Sequence, residues 1–143
     1  MKKFILLSLI GWLILVTAGC DKKKEQYMEE KLTLEGFIQS TTRYIRELEV
    51  TNNRIAVGRV IKNYIDDIKR IKQDMWALEK ICPDFKTTYG YKNAPKELRP
   101  LIKRCGESLA RMKLVAEGKM SQFSTDKNLL KMFAEVKEVL YYY

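Results

Sequence analysis

The 143-residue chain contains no histidine. That absence removes the commonest general base, the usual Ser-His and Cys-His nucleophile pairs and most zinc sites. Proline and glycine are sparse, at three and seven residues. No segment alternates apolar and polar residues with the period of a strand. The three cysteines, Cys20, Cys82 and Cys105, lack the C-x-x-C spacing of a redox pair. There is no zinc-finger spacing and no RNA-binding aromatic motif, so neither a metal nor nucleic acid is expected as a partner. Ser108 and Ser124 have no recognisable activating group. Asp66, Asp67 and Asp74 alternate with Lys62, Lys69, Arg70 and Lys72 at helical spacing, which fits surface ion pairs rather than acid–base work. The composition argues against an enzyme, and no cofactor is expected.

Only one stretch is strongly apolar, Phe4 to Gly19, behind Met1-Lys2-Lys3. A basic start, an apolar run and small residues at its end are the parts of a secretory signal peptide. As a helix this run reaches about 24 Å, short of a hydrocarbon core of about 30 Å. It ends in Thr17-Ala18-Gly19-Cys20, which resembles the lipobox of bacterial lipoproteins; Thr17 stands where that family usually has Leu. The resemblance implies cleavage before Cys20, diacylglycerol on its sulfur, and an anchor in the bacterial cell envelope facing the periplasm. The residues alone leave two alternatives: an ordinary signal peptide cut after Gly19, or an uncleaved anchor. The expected organisation is a signal peptide (1–19), a lipidated tether (20–26) and a helical domain (27–143).

The net charge is +9, and losing Lys2 and Lys3 with the signal leaves about +7. Surplus cations favour anionic partners. Lys22, Lys23 and Lys24 beside the anchor either lie against an anionic membrane, at about 1 kcal/mol each, or keep the tether extended. Elsewhere Asp and Glu are interspersed, as on a solvated helical surface. In enteric lipoproteins, Asp at the position of Asp21 is associated with inner-membrane retention; the choice between inner and outer membrane stays open.

Four apolar stripes follow, each alternating four and three residues apart. The first is Leu34, Ile38, Thr41, Ile45 and Leu48, widened by Phe37 and Tyr44. Thr51-Asn52-Asn53 then offers turn and N-cap chemistry. The second runs without a miss through Val57, Ile61, Tyr64, Ile68, Ile71, Met75, Leu78 and Cys82, and Pro83 ends it. The third is Leu98, Ile102, Cys105, Leu109, Met112 and Ala116, opening at Pro95 or Pro100 and stopping at Gly118. The fourth is Leu129, Phe133, Val136, Leu140 and Tyr143, capped by Ser124 or Thr125. The pattern predicts an all-α, antiparallel four-helix bundle. The first two helices should be long, about 25 and 30 residues, and the last two about 18 each.

Cys82 and Cys105 both fall on seam positions. Outside the cytoplasm an even pair reads as a disulfide stapling the second helix to the third; two buried free thiols are the alternative. Phe85, Tyr89 and Tyr91 in the long loop, with Tyr141 and Tyr142 near the C-terminus, are candidates for partner binding, since tyrosine suits interfaces. Leu32-Thr33-Leu34-Glu35-Gly36 lacks the Gln of the L-T-x-x-Q periplasmic chaperones. Secretion pilotins are similar in architecture only, as small lipoproteins that include disulfide-stapled bundles. The expected function is a lipid-anchored, non-enzymatic, pilotin-like adaptor that binds or escorts another envelope protein. An entry-exclusion or effector-immunity lipoprotein is the alternative.

Overall fold

A computed structural model describes residues 28–81 and 94–141, with residues 76, 78–81 and 141 as backbone only. The described residues form four helices and no strand: α1 (28–50), α2 (Arg54–Ile81), α3 (Arg99–Gln122) and α4 (Lys127–Tyr141). The chain is therefore all-α, as its periodicity predicts.

The seams bury one another. Ile38, Ile45 and Leu48 of α1, Val57, Ile61, Tyr64, Ile68 and Ile71 of α2, Met112 of α3, and Leu129, Phe133 and Val136 of α4 are all buried. Each large apolar side chain so buried contributes about 1.5–3 kcal/mol relative to exposure. Tyr44, Val60, Ile65 and Val139 widen the stripes into the bundle. Inside it Tyr44 stacks on Tyr64 with ring centroids 4.2 Å apart, and the Tyr64 hydroxyl shares a 2.9 Å hydrogen bond with Thr41.

Helix ends follow local chemistry. Asn53 caps α2, its Oδ1 accepting from the amides of Ile55 and Ala56 at 2.9 and 3.2 Å. Pro100 sits in the first turn of α3, where its missing N–H costs nothing. Pro95 instead opens the preceding turn, its carbonyl accepting from Leu98 and Arg99.

Two expected boundaries are corrected. Gly118 does not stop α3, which continues to Gln122. No glycine among the described residues has positive φ, so Gly118 stays helical at a cost of about 1 kcal/mol relative to Ala. The extension carries Lys119 into the bundle, where its ammonium donates to Thr51 O at 2.7 Å, Asn52 Oδ1 at 2.9 Å and Gln122 Oε1 at 3.1 Å. Those bonds hold the end of α3 against the C-terminus of α1, whose dipole favours a cation. The cap of α4 is then neither Ser124 nor Thr125 but Asp126, whose Oδ1 accepts from the amides of Asn128 and Leu129 at 3.1 Å. A carboxylate at that position satisfies both amides and matches the helix dipole.

Consecutive helices joined by short turns form two antiparallel hairpins, α1–α2 and α3–α4. Glu49 meets Arg111 at one level and Leu34 O meets Cys105 Sγ at another, so α1 and α3 run in the same direction. Arg54 pairs with Asp126, and Lys69 with Glu135, so α2 and α4 also run together. They pack closely at Gly58, where a Cβ would meet Leu129 at 3.6 Å, an ordinary van der Waals contact. The expected two long and two short helices become three long and one short. α2 has 28 residues and α3 has 24, but α4 has 15. Starting level with α2, α4 covers only about 22 Å of its 42 Å length. Among the described residues, the end of α2 that α4 does not reach is where α1 begins and α3 starts.

Candidate functional site

Of the residues singled out from sequence, Cys20, Cys82, Phe85, Tyr89, Tyr91 and Tyr142 lie outside the described residues, and Tyr141 is described as backbone only. Cys105 is described. It is half-buried beside Ile38, Leu98 and Leu101, with Sγ 3.9 Å from the carbonyl of Leu34. Among the described residues it is a free thiol. Burial pushes its pKa up to about 11, and nearby Arg104 only partly offsets this. A thiol so placed is a poor nucleophile near neutral pH.

Two grooves flank α1. The first, of about 420 Å³, lies between α1 and α3. Its floor is Ile38 and Ile45, and Thr42 and Ser108 place hydroxyls on opposite walls. Glu49 is already paired with Arg111 at 2.9 Å, and Glu107 with Lys103 at 3.8 Å. Arg46 and Arg104, on facing helices, form no ion pair among the described residues. The groove therefore presents two guanidinium groups above an apolar floor, a geometry suited to carboxylates.

The second groove, of about 760 Å³, lies between the first half of α1 and the second half of α2. Arg43 and Arg70 border it, both paired to Asp67. Glu29 and Asp74 also line it and form no ion pair among the described residues. Asp67 is thus a structural ion-pair partner, as its helical spacing implied. The helix lengths lead one to expect an uncovered part of the long first pair, where the second groove lies, but sequence reasoning named the lining of neither groove. The signal for the second was present in the seven-residue spacing of Glu29, Gly36 and Arg43, which puts opposite charges on one helix face around a glycine.

Among the described residues no three His, Cys, Asp or Glu side chains gather as a metal-binding group, and no helix is long and apolar enough to cross a membrane. No protein-family model, curated protein or solved structure matches the chain.

Proposed function

We propose that the protein is a lipid-anchored, non-enzymatic adaptor of the bacterial envelope that binds an acidic segment of another envelope protein. The observation that carries this reading is the α1–α3 groove, where Arg46 and Arg104 stand over Ile38 and Ile45 while the neighbouring carboxylates are already paired. A partner's carboxylates would engage the arginines, and its apolar residues the floor. The surplus positive charge of the chain favours the same class of partner. The lipobox-like Thr17-Ala18-Gly19-Cys20 supplies the anchor in this reading. An exclusion or immunity lipoprotein would use the same groove against an incoming effector and differ only in its occupant.

Two measurements test the proposal. Labelled palmitate should enter the wild-type chain and not Cys20→Ala; processing without label would replace the lipid anchor with an ordinary secretory signal. Arg46→Glu with Arg104→Glu should leave helicity unchanged and remove at least nine-tenths, roughly 1.4 kcal/mol, of salt-sensitive partner capture. Full capture by the folded double variant would place the binding surface elsewhere.

A further inference from the structure

The larger groove has a symmetry that the proposed adaptor function does not use. Glu29 and Arg43 lie seven residues either side of Gly36 on one face of α1. On α2, Asp74 and Arg70 lie two residues either side of Lys72. The stacked pair Tyr44–Tyr64 fixes the register of these antiparallel helices. Eight residues back from Tyr44 is Gly36, and eight residues on from Tyr64 is Lys72, so both charge pairs are centred on one level. On one side of that level stand the carboxylates of Glu29 and Asp74; on the other, Arg43 and Arg70 share the single carboxylate of Asp67 and keep a net positive charge.

We propose that this face is the docking surface for a second copy of the chain, related by a two-fold axis that crosses α1 and α2 at the level of Gly36. Such an axis sets α1 antiparallel against α1 of the other copy and α2 against α2. Glu29 then faces Arg43 of the second copy, and Asp74 faces Arg70, with every contact made twice. In the parallel alternative like charges oppose each other, so only the antiparallel arrangement is attractive.

The rest of the face fits the same occupant. Gly36 lies on the axis with nothing within 4 Å of a Cβ built there, so the two α1 backbones can approach closely. Leu32, 61% exposed, comes opposite Ser40. Ser40 lines the groove, is only 8% exposed, and makes no hydrogen bond among the described residues. The stretch from Glu29 to Arg43 spans about 21 Å on a face two helices wide, smaller than the roughly 800 Å² per partner of a standard interface.

The test uses the full chain in its native membrane. A photo-crosslinking benzoylphenylalanine at Gln39, which lines the groove, should yield a dimer of twice the chain mass. The same group at Leu114, 70% exposed on α3, should not. Glu29→Lys with Asp74→Lys should abolish the dimer, and so should Arg43→Glu with Arg70→Glu. Co-expressing these two variants with different tags should restore it as a heterodimer, because each then supplies the charge the other needs. Should the arginine variant fail to fold, the Glu29/Asp74 variant and Gly36→Leu decide, since all three positions leave the core untouched. A dimer that survives charge reversal, a cross-link only to a different protein, or no cross-link at position 39 would each overturn the proposal.

Discussion

Two buried polar side chains have opposite consequences for stability. Tyr44 is only 2% exposed, and its hydroxyl has no hydrogen-bond partner among the described residues. Tyr44→Phe keeps the stacked ring and removes the unsatisfied group, so it should raise stability by about 1 kcal/mol in urea unfolding at pH 7. Burial, and then the neighbouring Tyr64, hold the pKa of Tyr44 well above the usual value near 10. Its contribution is therefore complete below pH 10 and is lost as pH rises further, because the unfolded tyrosine ionises while the folded one does not. The advantage of Tyr44→Phe should widen between pH 7 and pH 11; a constant gap would mean that the hydroxyl is solvated. Lys119 is the converse case, buried but satisfied by three acceptors. Lys119→Met should cost about 2 kcal/mol in the same assay, since it strands the acceptors of Thr51 and Asn52 at the turn between α1 and α2 and that of Gln122 at the end of α3. An unchanged midpoint would show that water replaces the ammonium.

At the scale of elements, a staple between α2 and α3 would act at one end of the bundle. Cys105 sits in the second turn of α3 at the end of the bundle where α2 finishes. We propose that it joins Cys82, which lies outside the described residues, if the chain is exported as proposed. Closing a loop of this length is worth roughly 3.5 kcal/mol in the chain-entropy model. Intact mass should rise by about two protons on reduction, and reduction should lower stability by roughly 2–4 kcal/mol. Ready alkylation of the folded, unreduced protein would rule the bond out. The helices themselves were legible in the sequence because each seam holds a strict four-three rhythm, and Val57 to Ile71 are buried at every seam position. Boundaries were less legible. Gly118 reads as a stop until the tertiary bonds of Lys119 are known, and Ser124 and Thr125 compete as caps until the turn ending at Asp126 is formed. Propensity sets a helix end only where packing is indifferent to it.

For the whole molecule, periodicity gave the number of helices but not which of them lie side by side. A seam records that a face is buried and carries no label for its partner. The pairing of α2 with α4 depends on contacts such as Arg54–Asp126, between residues remote in sequence. The grooves were hidden for the same reason: Arg46 and Arg104 become neighbours only when α1 and α3 are set together. That arrangement also fixes an order of assembly. Each hairpin closes over a turn of a few residues, a microsecond-scale event, whereas joining them requires the chain to find contacts across most of its length. The α1–α2 hairpin emerges first. With synthesis at about 5–20 residues per second, it must wait some 3–12 s before α4 exists to cover Val57, Ile61 and Ile65. During those seconds its apolar face is open to other chains. Surface charge near that face, such as Arg54 and Lys69, therefore guards a nascent intermediate as well as the finished bundle.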